Sequence, residues 1–327
     1  MPQTASKSSI PKILAPIKSY IDAIRVINSG ADELYCGMRT PGLEDFELYR
    51  GSSTEIPTYD ELKQVTNHAH NNNVSVFVTL NQPLIIDSME KAMINHIHNC
   101  INAGADSLII GDLGMLQLVK DVAQDVKVCA STYLSATNLE TVEFLRRSGF
   151  SRVVLERHVP LEQIIDIAKN SDIEVEVFAH GSGCSNINVN CYFYHYKFPE
   201  LDQGYLKIDG IKFPCALPYD VYDNFDENKL LDTCSIMDAY TFCSLCKLPI
   251  LIGSGIYGLK IEGRGINEEY QASTTKLYRQ AIDMLQESDE KSYLEYIESI
   301  KKKFIPLPNT LPLNNLDELC CEQKRCY

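Results

Sequence analysis

Apolar and polar positions follow one repeating rhythm along most of this chain. A short, β-branched apolar run gives way to a stretch with apolar residues three and four apart, and then another short run begins. Lys12–Pro16 is the first run, followed by a helical pattern through Tyr20, Ile24 and Ile27 that stops at Gly30. Glu33–Gly37 is the second; after an irregular stretch, Thr58 caps a helix through Leu62, Val65 and Ala69. Further runs fall at Val74–Leu80, Ser107–Ile110, Val126–Ala130, Arg152–Leu155 and Ile173–Ala179. Helical patterns separate them over Asp87–Ala103, Met115–Ala123, from Asn138 to about Gly149, and from Pro160 to about Ser171. The rhythm then breaks for about seventy residues and resumes with an eighth run, Ile256–Ile261, and two helices near Glu268–Gln286 and Ser288–Lys303.

Eight short runs alternating with helices predict an α/β fold, a TIM-type (β/α)8 barrel. It carries a cysteine-rich insertion, 181–250, between strands seven and eight, and a C-terminal helical extension. The expected division is a barrel over 1–285 and a helix with a cysteine-containing tail over 286–327. A doubly wound open sheet is the alternative. Closure is favoured by two helix-ending turns of the same sequence, Gly30-Ala-Asp and Gly104-Ala-Asp, as a repeated unit would have. It is favoured also by the strand ends, which carry Cys36, Asn81, Asp112, Ser131 with Thr132, Glu156 with Arg157, His180, and Glu262 with Arg264. In a barrel such ends converge on one mouth, where catalytic groups gather. A single polar residue there is as well explained as a helix cap; the set makes Glu156, Arg157, Asp112, His180, Glu262 and Arg264 candidate catalytic residues.

Composition adds limits. The chain has 327 residues, 45% of them hydrophobic, and a formal charge of −14, which argues against whole-surface attraction to nucleic acid or anionic membrane. No apolar run approaches the roughly 18 residues of a membrane span, and the N-terminus has no apolar signal core. A cytoplasmic protein is expected.

Its twelve cysteines then stand out, because a reducing compartment disfavours a disulfide framework. Cys36, Cys100 and Cys129 fall in regular elements and read as small buried apolar residues. The other nine follow residue 180, and six of them, Cys184, Cys191, Cys215, Cys234, Cys243 and Cys246, lie in the insertion. Such clustering favours a metal; four thiolates suit zinc or an iron–sulfur cluster equally. Cys320, Cys321 and Cys326 form a possible second set. Two histidine pairs, His68 with His70 and His96 with His98, sit on helices at a spacing that does not share a face and are expected at the surface.

Seven blocks of the sequence resemble, in order, those of the U32 peptidase (collagenase-like) family. They are Gly30-Ala-Asp-Glu-Leu-Tyr-Cys-Gly37, Val78-Thr-Leu-Asn81, Ile110-Gly-Asp-Leu-Gly114, Ala130-Ser-Thr, Arg152-Val-Val-Leu-Glu-Arg157, Glu176-Val-Phe-Ala-His-Gly181 and Leu259-Lys-Ile-Glu-Gly-Arg264. The family name implies proteolysis, yet there is no Gly-x-Ser-x-Gly elbow and no His-Glu-x-x-His. Only Cys184 with His180 offers a nucleophilic pair. The cysteine pattern is closer to members that resemble oxygen-independent hydroxylases of ubiquinone precursors or RNA bases. In those, four cysteines hold a 4Fe–4S cluster. The resemblance implies Cys184, Cys191, Cys215 and Cys243 as ligands, with Cys234 and Cys246 as alternates, and zinc as the alternative metal. Asn188-Val-Asn190 departs from the Ser-Gly-Arg often found before the second cysteine. The implied activity is hydroxylation of a small molecule or RNA base held in the barrel mouth; a peptidase, or a non-catalytic cluster-bearing subunit working with a related U32 partner, is the alternative.

Overall fold

Eight parallel strands close on themselves. The computed structural model describes residues 10–40, 54–81, 87–182, 186–191, 218–226, 229–235, 241–264 and 268–301. Strands β1 (Lys12–Pro16), β2 (Glu33–Cys36), β3 (Ser75–Leu80), β4 (Ser107–Ile110), β5 (Lys127–Ala130), β6 (Arg152–Val154) and β7 (Glu174–Ser182) pair in sequence order. The insertion supplies a separate hairpin, β8 (Pro218–Tyr222) with β9 (Leu230–Ser235), then the short β10 (Thr241–Cys243). The last barrel strand, β11 (Gly258–Ile261), pairs parallel with both β7 and β1 and closes the ring. The expected TIM-type barrel is therefore the observed fold. β10 adds antiparallel to the end of β7, with Cys243 opposite His180.

Helices α1 (Tyr20–Asn28), α2 (Tyr59–Asn71), α3 (Glu90–Asn102), α4 (Leu113–Val122), α5 (Leu139–Ser148) and α6 (Leu161–Asn170) follow strands one to six, except that a 3-10 turn, Asp87–Met89, precedes α3. α7 (Leu248–Ser254) ends the insertion, and α8 (Glu268–Glu287) and α9 (Glu290–Lys301) follow β11. Ser19, Thr58, Asp112 and Asn138 each accept a hydrogen bond from the backbone N–H three residues on, at 2.8–3.2 Å, and so start α1, α2, α4 and α5. The two Gly-Ala-Asp turns do repeat one device. Gly30 and Gly104 take φ of +93° and +96°, and the following Asp32 and Asp106 accept from the first N–H groups of the preceding strand, Ile13 at 2.8 Å and Val76 at 2.7 Å.

Two apolar layers result. Between strands and helices lies the larger one, which also takes in Tyr293 and Ile297 of α9; the Tyr293 hydroxyl donates to Leu245 O at 2.7 Å, so the C-terminal helix shares the barrel's core. Inside the barrel one residue from each of β1 to β7 forms a ring: Leu14, Tyr35, Phe77, Ile109, Cys129, Val154 and Phe178. The eighth position, opposite Leu14, belongs to Lys260. Nearer the strand starts the interior is ionic. Arg152 is bidentate to Glu33 at 2.5 and 2.9 Å and also reaches Glu174 at 2.8 Å and Glu176 at 3.2 Å, while Lys260 pairs with Glu176 at 3.2 Å. Isolated charges are not tolerated there, so each cation is caged by carboxylates.

One expectation is corrected. His96 is buried at 2% exposure, on the α3 face shared with Met93, Ile97 and Cys100. Its Nδ1 bonds the Tyr59 hydroxyl at 2.7 Å, and desolvation lowers its pKa to about 4. A histidine that stays neutral, with one polar partner, fits an apolar interface between α2 and α3. His70 and His98 are exposed, and His70 bonds Asp106 at 2.9 Å.

Candidate active site

The C-terminal strand ends meet in a small, polar mouth. Its walls are Tyr35, Thr79, Ile109, Val154, Phe178 and Lys260 from the strands, with Asn81, Thr132, Arg157, Asn188, Glu262 and Arg264 above them. A chain of bonds crosses it. The Arg157 Nη2 donates to Glu262 at 2.8 Å and its Nη1 to the Asn188 side-chain oxygen at 2.6 Å. The Asn188 amide N–H then donates to Thr132 Oγ1 at 2.8 Å. Arg157 lies over the Phe178 ring at 4.1 Å, which leaves its fork fixed in plane. Arg264 donates to Thr79 Oγ1 at 3.3 Å and, like Arg157, keeps a buried Nε that bonds no described group.

Three glycines make room for this arrangement. A side chain at Gly37 would overlap the Arg264 guanidinium, and one at Gly181, whose φ is +141°, would overlap Glu262. At Gly111 it would press on Asn81 and Tyr133. These are the glycines that follow strands β2 and β4 and sit within β7, so the strand-end motifs encode close approach as well as polar groups.

The expected residues divide. Arg157, Glu262 and Arg264 line the mouth with Asn81. Glu156 lies beneath it, accepting from the N–H groups of Asn188 at 2.9 Å and Arg157 at 3.3 Å; burial raises its pKa despite those bonds. Asp112 caps α4 through Met115 N, the ordinary role for one polar strand end. His180 is 3% exposed and faces away from the mouth residues, with its ring against Tyr270 and Tyr278 and Nδ1 3.4 Å from the Tyr278 hydroxyl. Desolvation lowers its pKa to about 4, so the ring is neutral at pH 7.

Of the cysteines, Cys36, Cys100 and Cys129 are buried as expected. Cys191 ends the 3-10 turn Asn188–Asn190 and is half-buried, Cys246 is half-buried, and Cys243 is buried with Sγ 3.8 Å from the Tyr278 hydroxyl. Cys184, Cys215, Cys320, Cys321 and Cys326 and the Cys234 side chain lie outside the described residues. Among the described residues no three His, Cys, Asp or Glu converge as a metal site. Of the four cysteines expected as ligands, two are described, both as free thiols whose chemistry suits an iron–sulfur cluster or zinc: Cys191 after the mouth turn and Cys243 on β10, beside the end of β7.

The model of peptidase family U32 matches residues 19–308. This chain belongs to the U32 family. It is 28% identical over 303 residues to the tRNA hydroxylation protein P2 of Bacillus subtilis, a match covering 89% of this chain and 94% of that protein. It is 29% identical to the 23S rRNA 5-hydroxycytidine C2501 synthase of Escherichia coli, but spans only 39% of that relative's length. A third relative, the uncharacterized protease MJ0090 of Methanocaldococcus jannaschii, is 28% identical across 89% of this chain and 69% of its own.

Sequence reasoning passed over two residues of this U32 mouth. Lys260 was visible as a lysine inside the apolar run Leu259–Ile261, at the inward alternate position. Asn188 stood out only as a departure from the family's usual residues.

Proposed function

We propose that this U32 protein hydroxylates, or supports the hydroxylation of, an RNA base without molecular oxygen, and that Cys184, Cys191, Cys215 and Cys243 hold a 4Fe–4S cluster for it. One observation carries the reading: the turn that ends in Cys191 places Asn188 in the wall of the mouth, 2.6 Å from Arg157. That contact supports joining the Cys191 turn and the pocket in one site. The relatives named for tRNA and rRNA hydroxylation support the same reading. When bound, such a cluster supplies one-electron chemistry.

The chain's own residues bind and orient. Arg157 and Arg264 present donors fixed by stacking and by Thr79, Lys260 adds a cation at the floor, and Glu262 holds the Arg157 fork in place. With a net charge of −14, attraction for RNA has to be local; since Arg157 is paired with Glu262 and Lys260 with Glu176, the mouth offers directed hydrogen-bond donors more than net charge. No described helix is long and apolar enough to cross a membrane, and we place the protein in the cytoplasm with its RNA, with a related U32 subunit as its proposed partner. The burial of His180 against two tyrosines counts against a Cys184–His180 peptidase pair.

The test is nucleoside mass spectrometry of RNA from cells with and without the gene. A nucleoside one oxygen heavier should vanish on deletion and return with the native gene, but not with Cys191→Ser. Identical nucleoside profiles in all strains would sink the proposal.

A further inference from the structure

The mouth holds about 50 Å³ of free space, room for a water or two, whereas small-ligand pockets begin at about 300 Å³. Something must leave before a base enters. The backbones of Tyr35, Thr79, Ile109, Val154, Phe178 and Lys260 are held in the hydrogen-bonded barrel wall. Arg157 is pinned between the Phe178 ring and Glu262. Asn188 differs: it stands on a three-residue turn outside the barrel, its backbone N–H is held by Glu156 at 2.9 Å, and only its side chain reaches into the mouth.

Its side chain is also chemically informative. The carboxamide oxygen accepts from Arg157 Nη1 at 2.6 Å while the adjacent N–H donates to Thr132 Oγ1 at 2.8 Å. An acceptor beside a donor, in one plane, is what the hydrogen-bonding edge of a nucleobase presents. Withdrawing Asn188 would leave a buried guanidinium donor and a hydroxyl unsatisfied, which is costly unless the incoming group restores both bonds.

We infer that Asn188 is a displaceable plug occupying the place of the substrate's edge, and that Arg157 with Thr132 forms the pair that reads the hydrogen-bonding edge of a base. This rests on the hydroxylation reading and deepens it: selectivity comes from an edge that replaces Asn188 bond for bond. It also ties pocket occupancy to the turn ending in Cys191, three residues on.

Calorimetric titration of the metal-free protein tests this without turnover, with uridine and a riboside carrying phenyl in place of the base as probes. Asn188→Ala should bind uridine about tenfold more tightly than the native chain, since one charge-assisted bond no longer competes. It should gain nothing for the phenyl riboside, and adding Arg157→Met should erase the gain. Unchanged uridine affinity, or an equal gain for both probes, overturns the inference. The native chain gives an independent arm should Asn188→Ala fail to fold: excess uridine should speed alkylation of Cys191, and an unaltered rate overturns the plug. Because neither arm needs a cluster, their failure leaves the cellular hydroxylation test intact, and a negative cellular result with positive titrations rejects hydroxylation alone.

Discussion

Arg157 and Glu262 are joined across the barrel mouth at 2.8 Å although 105 residues separate them. Both are largely buried, with side-chain exposures of 6% and 12%. Removing one partner leaves the other desolvated and uncompensated, an effect of about 3–5 kcal/mol in buried pairs. Arg157→Met should therefore lower stability in urea by about 3 kcal/mol. Glu262→Gln, which keeps an acceptor for the guanidinium, should cost less than half of that. Equal losses would mean that the charge of Glu262 matters and its bond does not.

Gly37 yields a cleaner separation of activity from stability. Its backbone is not in the left-handed region, so Gly37→Ala adds no backbone strain, only overlap with the Arg264 guanidinium and tight contacts at 3.1–3.2 Å to the Glu55 side chain. Arg264 should shift off Thr79, and the proposed hydroxylation should fall by about tenfold or more while the thermal transition moves little. Gly181→Ala adds backbone strain at φ +141° as well as overlap with Glu262, so it should lower both. A Gly37→Ala protein with native activity would remove Arg264 from the site.

The buried histidine between α2 and α3 predicts an acid limb. His96 titrates near 4 folded, against an ordinary value of 6.5. Between those values the unfolded chain binds the proton and the folded chain does not, so stability falls as pH drops from about 6.5 toward 4. The loss attributable to His96 approaches about 3 kcal/mol at the acid end. Urea midpoints measured across that range for native and His96→Gln protein should converge as pH falls; parallel curves would contradict the burial of the ring.

Burial also sorts the thiols. It pushes the Cys36 thiol up to about 12 and raises Cys100 and Cys129 further. In the metal-free folded protein, iodoacetamide at pH 8 should leave these three unlabelled and react faster with the half-buried Cys191 and Cys246. Peptide mapping decides; early labelling of Cys129 would place a hole in the barrel ring.

Much of this architecture was legible because period and position coincide. The runs Lys12–Pro16 and Ser107–Ile110 are the observed strands to the residue, the run from Glu33 overshoots its strand only by Gly37, and Gly30 and Gly104 mark helix ends through the positive φ that they adopt. His96 was misplaced because a spacing of two was taken to deny the pair a common environment. One member can still fall on the apolar face, as His96 does beside Ile97 and Cys100. Asp112 shows the limit at the site itself: a carboxylate at a strand end looks the same in sequence whether it caps a helix or faces a substrate. Lys260 and Asn188 needed the three-dimensional ring and the turn before their partners were known.

The central claim joins the thiols to the mouth, and the most direct measurement is the iron and sulfide content of anaerobically purified protein with its EPR spectrum after reduction. The account predicts about four iron and four sulfide per chain and a reduced-cluster signal. That signal should be lost in Cys191→Ser and Cys243→Ser and kept in Cys36→Ala. Zinc without iron, or a cluster indifferent to Cys191 and Cys243, would contradict it.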